Sequence, residues 1–177
     1  MTGVAVAGMT LLMSISRVHA DSHTPLSGSH KQQIISNCTS VKSSLNQLHR
    51  SDASLRVNRG QMYEVVGTKL MARLNGRLVA NRLDASTLVS TAARYDTALL
   101  NFRDTYKRYE EQLSTLLRVD CTKQPETFYR ALLDVRAKRT EVHKSVTNLN
   151  SIMSDYHQDF IDFSNEYETA TKRISND

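Results

Sequence analysis

Two cysteines, six histidines and three charged residues set inside apolar runs are the side chains of this 177-residue chain best placed to do chemistry. Cys38 and Cys121 have no second cysteine or histidine at metal-ligand spacing, so they read as a disulfide pair rather than as half of a zinc site. His49, His143 and His157 each follow an apolar seam position and belong at seam edges. His157 with Asp159 or Asp162 comes nearest to a metal set, while Glu141 and His143 are two apart, not at the Glu-x-x-His spacing of di-metal bundles. His23 and His30 fall in a polar stretch and read as solvated tail residues. Neither a Gly-rich phosphate loop, a nucleophile elbow nor a Cys-x-x-Cys pair occurs. The expectation is a protein that is not an enzyme and uses no metal or cofactor.

Asp52, Arg59 and Arg139 occupy slots where a packed helix carries apolar residues. They read as a polar layer that fixes the register of neighbouring helices, the commonest use of polar residues in such seams.

The elements that must position these groups are all helical. Glycine and proline are scarce, six and two, and strand-like alternation is almost absent. From Pro125 to Ile174 two interleaved heptad series run without a slip. One is Leu132, Arg139, Val146, Met153, Phe160, Tyr167 and Ile174; the other is Phe128, Val135, Val142, Leu149, Tyr156, Phe163 and Ala170. Pro125 and Glu126 mark the start of this helix. Another seam runs through Leu88, Ala92, Tyr95, Leu99, Phe102, Tyr106, Tyr109, Leu113 and Leu116. The first seam passes Ile34, Cys38, Val41, Leu45, Leu48, Asp52, Leu55, Arg59, Met62 and Val66, then steps by four through Leu70, Leu74 and Leu78. Asn75 with Gly76 predicts its end.

The fold class expected is therefore all-α, an elongated antiparallel three-helix bundle with helices at about 31–75, 85–118 and 125–174. With those ends Cys38 and Cys121 lie level, as a disulfide requires, and a first-helix residue n stands beside about n + 83 of the third helix. Closing the loop between the cysteines stabilises the fold by roughly 4 kcal/mol in the chain-entropy account. The third helix outruns the second around Phe160, Phe163, Tyr167 and Ile174, with residues 76–84 expected to fold over part of it through Leu78, Val79 and Leu83.

Charge is divided along the chain. Residues 31–82 carry nine basic and two acidic side chains, whereas 145–168 carry five acidic ones and no Lys or Arg. The plain reading is a set of ion pairs that match Lys69, Arg73 and Arg77 to the acids of the third helix. The sharper reading is a basic strip on Arg50, Arg56, Lys69, Arg73 and Arg77 facing an anionic polymer or lipid head groups. Without residues 1–20, which hold Arg17 as their one charged side chain, the net charge of +5 becomes +4, which with an internal acidic partner leaves the strip little surplus field; no nucleic-acid partner is expected.

Val4 to Ile15 is an apolar run of a dozen residues followed by Val18 and Ala20 at the small-residue positions before Asp21, although Met1 to Gly3 carry no basic side chain. Residues 1–20 therefore read as an export signal rather than a membrane anchor, since about 20 apolar residues are needed to span a bilayer. Residues 21–30 read as a disordered lead-in, and 31–177 as the bundle. Export fits a disulfide. The function expected is an interaction or structural module of the periplasm, envelope or exterior, binding a protein partner or itself. The alternatives are a holdase-type periplasmic chaperone and a binder of anionic polymer or lipid.

Overall fold

The computed structural model describes residues 25–174, so the export signal and the first four residues of the lead-in lie outside the described residues. The chain forms α1 (Gly28–Val65), a π-helical segment (Val66–Met71), α2 (Ala72–Ala80), α3 (Ser86–Arg118) and α4 (Pro125–Ile174), with no strand among the described residues. The first three run on as one rod, so the molecule is a bundle of three helical rods. α3 and α4 make the most extensive pairing. Ser27 caps α1 by accepting the N–H of His30 at 3.3 Å, so the helix begins three residues before the expected 31.

The α3 seam is inward along its whole length, from Leu88 to Leu116, with Tyr95, Leu113 and Leu116 fully enclosed. On α4 the inward stripe is wider than two series. Phe128, Val135, Leu149 and Tyr156 are buried as expected, but Ala131, Ser145 and Ile152 are buried beside them, whereas Arg139 is exposed. Ala131 and Ser145 are small enough for α3 to come close, and the Thr105 and Ser145 hydroxyls meet at 3.1 Å.

The first rod departs from its expected seam after Asp52. Leu55 is 54% exposed and Leu70 60%, while Tyr63, Gly67 and Met71 turn inward instead. Those three step by four, which in an α-helix overshoots a full turn. The π segment corrects the overshoot with a wider turn, in which the N–H of Ala72 bonds the carbonyl of Gly67 five residues back. Gly67 suits this position because the Tyr95 ring lies close against the backbone. A β-carbon on Gly67 would stand 3.3 Å from both that ring and Asp96 Oδ1, and the Tyr95 hydroxyl donates to the Tyr63 carbonyl at 2.9 Å.

The first rod also does not end at Asn75 but continues to Ala80. Asn75 is buried, donates through Nδ2 to the Leu88 carbonyl at 3.1 Å, and accepts the Tyr156 hydroxyl at 2.7 Å. It marks the level at which α3 begins, which is why the cysteines still meet, at a Cα separation of 5.6 Å, although the helix extends one turn further. Leu78 and Leu83 from this extension join Phe163 in the upper core, whereas Val79 stays exposed.

The true helix end is a Schellman turn. Leu83 N–H bonds the Leu78 carbonyl and Arg82 N–H the Val79 carbonyl, each at 3.0 Å, with Arg82 in the left-handed region at φ 56°. Glycine adopts that conformation without the β-carbon cost, so Arg82→Gly should raise stability by about 1 kcal/mol. Chemical denaturation of the two proteins checks this; a variant less stable than wild type contradicts it.

Candidate functional site

Asp52, Tyr109 and Arg139 converge where α1, α3 and α4 approach. Asp52 Oδ2 accepts the Tyr109 hydroxyl at 2.5 Å and lies 3.6 Å from Arg139 Nε. Burial, reinforced by the hydrogen bond to Asp52, pushes the Tyr109 phenol well above its ordinary range. The expected polar layer is thus Asp52 and Arg139 joined by a tyrosine. Arg59 takes no part in it and stands exposed on α1.

Above this layer a groove opens. Between Asp52 and Tyr63 no residue of α1 is buried, so for nearly three turns the helix stands off from its neighbours. The buried rings of Phe102, Tyr106 and Tyr109 form the floor, and α1 and α4 form the walls of a cavity of about 890 Å³. The floor belongs to a continuous aromatic ladder: Tyr63 meets Phe102 edge-on at 5.5 Å, and Tyr106 meets Tyr109 at 6.0 Å. Burial raises the Tyr106 phenol to about 12.

The rim is basic. Arg56, Arg59, Arg136 and Arg139 line the cavity, with Asp52 as its one carboxylate. Arg139 is engaged by Asp52, and the Arg56 guanidinium sits 5.1 Å above the Tyr106 ring. Arg59 and Arg136 meet no carboxylate among the described residues. Arg136 and the ring floor were not singled out from sequence as site residues. The signal that could have found them was Arg59 and Arg139 in facing seams, with Arg136 one turn before Arg139.

The other sequence candidates lie apart from this groove. Of the basic strip, only Arg56 lines the main cavity; Arg50, Lys69, Arg73 and Arg77 are exposed elsewhere on the first rod. The expected ion pairs to the third helix are not formed. The Tyr156 hydroxyl does reach Asn75 and the Met71 carbonyl, on either side of Arg73, so the level is right. The acids of α4 turn instead to the closely packed α3, where Arg94 bridges Asp155 and Thr91 donates to Asp159, each at 2.6 Å. His143 lines the groove without a carboxylate partner, and no set of three metal-ligating side chains occurs among the described residues.

At the far end, every described α4 side chain from Asn165 to Arg173 is exposed. Phe163 is half-buried against the upper core and stacks on Tyr167 with ring centroids 6.4 Å apart. Phe160 and Ile161 are more than a third exposed and Tyr167 is 51% exposed. Ile174 closes α4, and its side chain lies outside the described ones. No helix among the described residues is long and apolar enough to cross a membrane. Compared with known proteins, the chain matches no family model, no curated protein and no solved structure.

Proposed function

We propose that the protein is an exported, non-enzymatic helical-bundle module that acts by binding, and that it joins a second copy of itself through the free end of α4. The observation that carries this reading is the run of uncovered α4 beyond Ser164, continuing an apolar seam through the exposed Tyr167. The charges there suit a twofold pairing. Glu166 and Glu168 precede Lys172 and Arg173, and although Glu168 already lies 3.8 Å from Lys172 in the same helix, two tips laid antiparallel about Ala170 would set acids against bases in both directions. The Cys38–Cys121 pair supports an oxidising compartment.

A contact of a few turns is small, so the dimer should be weak, with a dissociation constant of about 10–100 µM. Light scattering across that range should show concentration-dependent dimers, and Phe160→Ser with Tyr167→Ser should abolish them while helical content is kept. A chain that stays monomeric throughout overturns self-pairing. If that monomer suppresses the aggregation of an unfolded client, the holdase alternative replaces it. If the monomer binds a polyanion in a salt-sensitive way, the anionic-polymer alternative does.

A further inference from the structure

We propose that the groove between α1 and α4 is a binding site for one amphipathic anion, specifically the anion of a long-chain fatty acid. The site is independent of the α4 tip. Its volume of about 890 Å³ lies within the range of about 300–1,000 Å³ typical of ligand pockets. Leu55 on α1, with Val142 and Val146 on α4, gives it apolar walls above a floor of aromatic rings, which suits an acyl chain.

Charge decides the head group. Four guanidinium groups and one carboxylate border the cavity, and that carboxylate is already held by Tyr109 and Arg139. Arg59 from α1 and Arg136 from α4 therefore face solvent from opposite walls with no acid between them. A guanidinium fork pairs with a carboxylate through two parallel hydrogen bonds, and beside an apolar floor that pairing is less screened than in open water. A neutral alcohol would leave both forks unused, and an alkylammonium would be repelled.

The polar residues at the floor also argue for a site rather than a packing fault. Three turns of α1 without a buried residue forgo core burial that leucines at the Arg56 and Arg59 positions could supply. The chain instead places bases there and keeps Asp52 fully partnered below them. No buried side-chain polar atom of the described residues lacks a hydrogen-bond partner, so the unspent polar capacity of this region lies at the rim.

Calorimetric titration of the oxidised protein with dodecanoate, below its micelle concentration, tests the site. One equivalent should bind per chain. Dodecanol and dodecyltrimethylammonium should bind at least about tenfold more weakly, the scale of one lost charge-assisted contact. Arg59→Ala with Arg136→Ala should weaken dodecanoate by about tenfold or more, and Val146→Trp, which fills the cavity, should remove binding. Both variants are compared by thermal melting to establish that they remain folded. Lys69→Ala with Arg73→Ala, away from the groove, should leave the affinity unchanged. The proposal is overturned by the absence of saturable binding, by equal affinity for dodecanol, or by folded Arg59/Arg136 variants that bind as wild type does. Loss of dimers in the Phe160/Tyr167 variant with dodecanoate binding intact would separate the two sites.

Discussion

Reducing the bond between Cys38 and Cys121 should lower the free energy of unfolding by about 4 kcal/mol and release one end of the bundle first. The 83-residue separation gives the first figure through the lost constraint on the unfolded chain. The second follows from how little else holds the start of α1. Through its first turns, up to Ser51, only Cys38 and Leu45 are buried, helped by the half-buried Ile34 and Val41 and by an ion pair at 3.1 Å between the partly exposed Lys31 and Glu126. Solvent screens such an ion pair, so it contributes little. Hydrogen exchange on the reduced protein, or on Cys38→Ser/Cys121→Ser, should show amides 28–51 opening well before those of α3. Uniform exchange, or a stability loss below about 1 kcal/mol, would show that α1 is held by contacts other than this bond.

Tyr109→Phe should cost about 2 kcal/mol, the value of a buried hydrogen bond to a charged acceptor, and Asp52→Ala at least as much because it strands the phenol hydroxyl. Arg139→Ala should cost under about 1 kcal/mol, since its side chain is more than half exposed and its Nε is 3.6 Å from the carboxylate. A double-mutant cycle between Asp52 and Tyr109 should therefore return a coupling of about 2 kcal/mol. Coupling near zero would make the contact incidental. Tyr109 also sets an alkaline limit. Its folded phenol is raised above the unfolded value of 10.0, so its stabilising contribution is complete below pH 10 and declines above it, as unfolded chains ionise first. Tyr95 and Tyr106, both raised to about 12 by burial, act in the same direction. Stability should thus fall steeply between pH 10 and 12, tracked by helical signal and tyrosinate absorbance together.

The helices and their order were legible because a seam repeated over seven or more turns leaves one face to bury, as on α3, where Leu88 to Leu116 all turn inward. The disulfide was legible by counting down from Asn75 and Ala85, and the count survives the longer helix because Asn75 still marks the level at which α3 begins. The path of the first rod was not. Leu55 and Met62 continue the heptad on paper and Leu70 the step of four after it, but Tyr63, Gly67 and Met71 pack better against Tyr95 and Phe102, and only a π turn, which has no composition signature here, lets them do so. Asn75 with Gly76 has the form of a helix end, yet tertiary hydrogen bonds to Leu88 and Tyr156 outweigh the local signal. The groove was half legible. Arg59 and Arg139 announced that two seams did not close on each other, but reading them as one layer concealed the cavity between them.

The two ends of α4 differ in what surrounds them. Its start is tied to Gly28–Val65 by the Lys31–Glu126 ion pair and the nearby disulfide, so α1 begins at that pole. Its last turns stand bare at the other pole, about 75 Å away along 50 residues of helix. The start of α1 is therefore separated from the tip by more than twice the thickness of a bilayer's hydrocarbon core. Two copies meeting tip to tip would point their N-terminal poles in opposite directions, well over 100 Å apart. Such a pair would be one long rod that carries its two disulfide-tied poles at opposite ends rather than side by side.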